Sequence, residues 1–179
     1  MSVRIYAFSM LRLMLLAGTV ATAEGCNSSR EDSPAAQPKM TDKEQEAWKL
    51  VEDFIAAHES WERQAYGDWK APGTAVDGNQ LTPEGLDRMR RANDNYAKTL
   101  SPFFVPGVEV SAPGWGSTPV HASDAESVES AAEQSGTVII RTKSTPQYGT
   151  FTATETFEYT LKDVDGTLRI DSIEWTPDP

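Results

Sequence analysis

The sequence predicts an α+β domain in which two N-terminal helices pack in a curved antiparallel sheet that ends in a long C-terminal hairpin. Three observations carry this. Apolar residues recur at helical spacing across residues 41–66 and again across 82–100, and both segments open with helix-start residues. The C-terminal stretch changes to a period of two, which is the spacing of a half-buried strand. One of its strands breaks that period once, as a bulged and bent strand would.

The first helix opens at Thr41, which forms a T-x-x-E capping box with Glu44. Ala47, Trp48, Val51, Phe54, Ile55, Trp61 and Ala65 then form one apolar stripe. The pattern stops near Tyr66-Gly67, and residues 67–81 read as a Gly- and Pro-bearing loop. Thr82-Pro83-Glu84 starts the second helix, with Pro at its first position. Leu86, Met89, Asn93, Tyr96 and Leu100 continue it, and Ser101-Pro102 ends it. Residues 102–122 hold short apolar pieces separated by Pro102, Pro106, Pro113 and Pro119, which predicts loop with short strands.

Val138 to Lys143 reads as a strand. From Phe151 to Leu161 the alternation is regular: Phe151, Ala153, Phe157, Tyr159 and Leu161 share one face, and a threonine-rich set takes the other. Asp163-Val164-Asp165-Gly166 supplies a hairpin turn, because Asp and Gly tolerate positive φ. Leu168 to Trp175 is the return strand. Leu168 and Ile170 have one parity, Ile173 and Trp175 the other, so one extra residue near Asp171 or Ser172 is needed to bury all four.

The N-terminus has the anatomy of a secretory signal over residues 1–25. Arg4 and Arg12 supply positive charge, and Leu13 to Ala23 is an apolar run too short to span a bilayer, which needs about 20 such residues. Two processing sites compete. Ala21-Thr22-Ala23 fits ordinary cleavage, whereas Ala23-Glu24-Gly25-Cys26 is similar to a bacterial lipobox. Cys26 is the single cysteine, so it has no internal disulfide partner. Its position directly after the signal favours lipid attachment, which would anchor the chain to the membrane on the far side of the cytoplasmic membrane. Residues 26–40 are polar with two prolines and read as a flexible tether, leaving 41–179 as the folded domain.

The formal net charge of −11 rules against nucleic acid and anionic lipid surfaces as partners. It permits a basic protein partner and equally serves solubility. No metal motif is present, since the two histidines, His58 and His121, lie far apart and no paired cysteines exist. Phosphate-loop, dinucleotide and nucleophile-elbow patterns are absent, and no cofactor is expected. The surviving enzymatic reading is acid–base chemistry by His58, Glu155 and Asp171 in an aromatic pocket. Against it, His58 serves equally as a helix residue, Glu155 as an ion-pair partner of Arg141 or Lys143, and Asp171 as a bulge residue. Among the tryptophans, Trp61 borders that pocket, while Trp69 and Trp115 sit beside Gly and Pro and suit partner anchors.

Phe157-Glu158-Tyr159-Thr160-Leu161-Lys162, followed by Gly166-Thr167-Leu168-Arg169-Ile170-Asp171-Ser172-Ile173, is similar to the terminal hairpin of the nuclear transport factor 2-like (NTF2-like) immunity proteins. Those read F-x-Y-x-L, a turn, then G-x-W-R-I-D-S; Leu168 stands where they commonly have Trp. Thr137 to Thr142 fits their preceding strand, and Phe54-Ile55 with Trp61-Glu62 fits their first helix. The resemblance covers residues 47–66 and 124–175. It implies an NTF2-like cone and a non-enzymatic protein that binds and neutralises a toxin domain. The wider superfamily also includes isomerases and dehydratases that use the cone as a pocket, and pairs that dimerise through the sheet. A homodimer through the threonine-rich face is therefore a further expectation.

Overall fold

The computed structural model describes residues 38–71, 75–76, 80–112, 119–148 and 150–177. Residues 1–25, read as a signal, Cys26, most of the expected tether and Trp115 lie outside them. Helix α1 spans Asp42–Lys70. The Thr41 side chain accepts from the Glu44 N–H, and the Glu44 carboxylate accepts from the Thr41 N–H at 2.7 Å, so the capping box forms as the sequence indicates. The helix continues one turn past the expected stop at Gly67. Tyr66 and Trp69 pack ring against ring there, and Lys70 lies over the Tyr66 ring, which supports a turn containing glycine. The expected loop also contains a two-residue ladder, β1 (Ala75–Val76) paired with β2 (Gln80–Leu81).

Helix α2 spans Pro83–Leu100, with Thr82 as its cap. Its helically spaced residues are only partly covered. Tyr96 and Leu100 are buried, whereas Leu86 and Met89 are exposed at 49% and 36%. A 3₁₀ turn follows at Ser101–Phe103. Beyond it, the anticipated short strands reduce, among the described residues, to one parallel bridge between Phe104 and Ile170, reinforced by the Val105 N–H donating to the Ile170 carbonyl.

The main sheet has four antiparallel strands in the order β3 (Glu126–Gln134), β4 (Thr137–Ser144), β7 (Glu155–Val164) and β8 (Thr167–Pro177). A short ladder of β5 (Gln147–Tyr148) with β6 (Phe151–Thr152) interrupts the long strand expected from Phe151, which restarts at Glu155. Both main hairpins close on two residues of positive φ, Ser135-Gly136 and Asp165-Gly166, the type I′ geometry that matches strand twist. Strand β3 was not anticipated, because its ESVESAAEQ sequence carries few β-forming residues. It is an edge strand, where such polarity protects against unwanted pairing.

The anticipated bulge is present. Thr160 faces Ser172 and Leu161 faces Ile170, so Asp171 is the extra residue. Its insertion places Leu168, Ile170, Ile173 and Trp175 on the face shared by Phe157, Tyr159 and Leu161. Trp175 sits at the rim of that face and stays 37% exposed. A second shift, between Val128 and Ser130, makes Glu129 extra on the opposite edge strand. Each edge strand is thus bulged once, which bends both flanks of the central pair.

Helix α1 is the element seated on the sheet, touching β3, β4 and β8, while α2 packs on α1. Phe54 is central to that contact. Its ring meets the edges of Phe103, Phe104, His121 and Tyr159 at centroid distances of 5.7 to 6.0 Å. No described helix is long and apolar enough to cross a membrane.

Deleting Asp171 should turn Ile173 and Trp175 to the outer face and lower unfolding stability by about 2 kcal/mol or more. Asp171→Asn keeps the register and loses only the part-exposed ion pair with Lys162, so it should cost under about 1 kcal/mol. Urea midpoints of the two variants measure the difference.

Candidate functional site

The sequence expectation centred on His58, Glu155 and Asp171. The structure disposes them differently. Asp171 lies at the bulge with its carboxylate 2.8 Å from Lys162 Nζ. Glu155 is buried on the inner face, at the end of β7 and opposite Ser144. His58 is buried at 3% exposure on α1, where its neighbour is the other histidine: the His58 and His121 rings meet edge to face at 4.8 Å. Trp61 is an internal clamp, donating its indole N–H to the Ala92 carbonyl at 2.9 Å and packing on Tyr96. Trp69 is 37% exposed at the end of α1.

The chemistry gathers around a carboxylate that sequence reasoning missed. Glu126, at the start of β3, is buried and accepts from three directions. His121 Nδ1 lies 2.9 Å from Oε2, and Oε1 accepts from the Tyr159 hydroxyl at 2.8 Å and the Thr142 hydroxyl at 2.5 Å. Burial alone would raise the Glu126 pKa, but His121, Thr142 and Tyr159 together outweigh it and hold the carboxyl below its usual range. The Tyr159 phenol is pushed well up, first by burial and then by Glu126.

His58 stands on the other side of His121. Burial pushes its pKa well below the ordinary imidazole value, and His121 adds to the effect, so the ring is neutral at pH 7. Its Nδ1 has no hydrogen-bond partner and lies 3.8 Å from Oε2 of Glu62. That Glu62 oxygen accepts the Val120 N–H at 2.9 Å. Tyr96 of α2 closes the pocket with its ring 5.6 Å from His58, and its pKa is raised by burial and then by Glu62.

The two histidines and two glutamates thus form a packed interior cluster whose rings contact one another. Among the described residues, no group of three or more His, Cys, Asp or Glu side chains is placed to hold a metal. A crevice of about 420 Å³ lies outside this cluster, between α1 and α2, lined in part by Trp61, Ala65, Ala92, Arg88 and Arg91. Beside it, Trp69 and Met89 share a smaller crevice, with Leu86 one turn back along α2.

A sequence signal for the cluster existed. Ser135-Gly136 is a hairpin turn, and pairing backward from it brings Val128 opposite Thr142 and Glu126 opposite Ser144, on the same strand pair. The bulge at Glu129 spoils simple counting by one residue. No local pattern announces that His58 and His121 meet.

Comparison with family models, curated proteins and solved structures gives no match.

Glu126→Ala should remove the acceptor shared by the Thr142 and Tyr159 hydroxyls and the His121 ring, leaving Tyr159 and His121 only their mutual contact, and cost about 3 kcal/mol or more. The folded-state pKa of Glu126 is depressed, so its contribution is present above the unfolded carboxylate value and is lost as pH falls through the depressed one. Glu126→Gln should therefore flatten the acid limb of stability below about pH 4.5, read by chemical denaturation across pH.

Proposed function

We propose that this chain is an exported, lipid-tethered binding protein of NTF2-like type that engages a protein partner through its α1/α2 face. Toxin neutralisation is the role that the hairpin resemblance implies. One observation carries the reading: the interior between α1 and the sheet is occupied by the protein's own rings, while apolar side chains face outward on the helices. His121 stands 4.3 Å from Phe157 and 4.8 Å from His58, centroid to centroid. Outside, Trp69 and Met89 are exposed at a crevice between the helices, and Leu86 is exposed one turn back along α2. Exposed apolar groups grouped in this way are typical of protein interfaces.

A second reading keeps the interior as the working part, as a small-ligand pocket or an acid–base site. What supports it is the unpartnered Nδ1 of buried His58. Of the residues that reading first invoked, Asp171 is paired with Lys162 on the sheet.

Affinity capture from envelope extracts of the native host, run in parallel with wild type and a Leu86→Asp/Met89→Asp variant, tests the binding face. Both positions are exposed, so the variant should melt within about 0.5 kcal/mol of wild type. A partner bound through this face should bind the variant about tenfold or more weakly. Equal capture by both proteins would move the interface elsewhere. No capture, combined with a small ligand that raises the melting temperature, would transfer the function to the interior.

The tether is tested separately. Cys26→Ser should shift the mature protein from the membrane fraction to the soluble fraction on cell fractionation. Retention in the membrane fraction would remove lipidation from the proposal.

A further inference from the structure

The segment from Pro119 to Ala125 is strapped to α1 by two carboxylates one helical turn apart. Glu59 Oε2 accepts the Ser123 N–H at 2.9 Å and the Ser123 hydroxyl at 2.7 Å. Glu62 Oε2 accepts the Val120 N–H at 2.9 Å. Between these two bonds the strap sends the His121 ring inward, where it contacts Phe54, His58 and Phe157 and reaches Glu126.

One carboxylate oxygen links the strap to His58. The same Oε2 of Glu62 that holds the Val120 amide lies 3.8 Å from His58 Nδ1, and that nitrogen has no other partner. A neutral His58 makes only a weak claim on this oxygen. A protonated one makes a strong claim, because a charge-assisted bond outcompetes a neutral amide donor. The same proton places a cation against the His121 ring.

We propose that the 119–125 strap is an acid-released latch, in which a proton taken up at His58 draws Glu62 off the Val120 amide and unseats His121. The groups that face His58 are consistent with this. On α1 the facing group is Glu62, on α2 Tyr96, and on the strap His121. Glu126 of β3 and Tyr159 of β7 stand behind His121 and bind it, not His58.

The sign follows from the burial of His58. Its folded-state pKa lies below the ordinary value, so any state that exposes the ring binds the proton better. Release is therefore favoured as pH falls below about 6.5. The Glu59 anchor behaves differently. Burial alone would raise its pKa, but the Ser123 N–H and hydroxyl together with Arg63 lower it. The Val120 amide shares its acceptor oxygen with His58, whereas the Ser123 bonds are made to a separate carboxylate, so the His58 proton acts on the Val120 bond. This inference is independent of which partner the outer face binds.

Amide exchange measured residue by residue on the mature protein, corrected for intrinsic rates, tests the latch. Protection at Val120 should fall about tenfold or more between about pH 7 and about pH 5, while Ser123 and the sheet amide of Ile140 keep theirs. The chain has two histidines, so both imidazole titrations can be followed directly. The His58 titration should share its midpoint with the loss at Val120. His58→Phe should abolish the pH dependence, and His58→Gln serves if the Phe variant does not fold. The latch is refuted if Val120 protection is constant over this range, if it falls together with Ile140, or if His58 titrates near its ordinary value with no change at Val120.

Discussion

A carboxylate placed in an apolar interior must be ringed by donors, and Glu126 imposes that requirement on the whole sheet. Its partners come from three other segments: His121 from the strap, Thr142 from β4 and Tyr159 from β7. Leaving such a group unsatisfied costs several kcal/mol, so these four segments have one shared arrangement in which all of them are paired. Strand β3 has little apolar content of its own to hold it in register. Glu126 at its first residue and the Ser135-Gly136 turn at its end fix it at both extremities, and the bulge at Glu129 takes up the mismatch between them.

Helix α1 meets the same constraint from the other side. Val51, Phe54, Ile55 and Ala65 bury apolar surface, but the same stripe carries His58 and Glu62 into the interior. The two polar residues are one turn apart and are handled differently. Glu62 has a donor in the Val120 amide, so its charge is supported. His58 has none at Nδ1, so it is tolerated by remaining neutral. Aromatic edges packed around it replace hydrogen bonds with dispersion, which suits an uncharged imidazole and not an imidazolium. The interior is therefore stable in one protonation state.

The parts of the fold legible in the sequence are those written in local chemistry. Thr41 with Glu44, Thr82 with Pro83, and Asp165-Gly166 each specify a cap or a turn through their own backbone preferences. The bulge at Asp171 was legible because a parity fault in four apolar residues has one economical repair. Strand β3 was not legible, since an edge strand held by one buried carboxylate and a turn has no period to read. Which half of α2 is covered was not legible either. Leu86 and Met89 continue a helical stripe that in the folded chain points away from the core, and periodicity does not say which face is covered. The site was half legible. His58 was identified from its place on the stripe, but Glu126 and Tyr159 reach it through His121, and that relay exists only once the strap is folded onto α1.

The packing of this relay bears on which function takes precedence. A catalytic acid or base must reach its substrate within hydrogen-bond distance. His58 and His121 instead present their rings to each other and to Phe54, Phe157 and Tyr96, and Glu126 is engaged at both oxygens. Any ligand that used them would first have to displace the His121 ring, and with it the bond from Val120 to Glu62. Interior chemistry is thus conditional on moving the strap. A partner docking beside Trp69, Leu86 and Met89 meets side chains that are already outside, on two helices joined by the bond from Trp61 to Ala92. Binding there uses the fold as it stands, and this asymmetry places the surface reading ahead of the interior one.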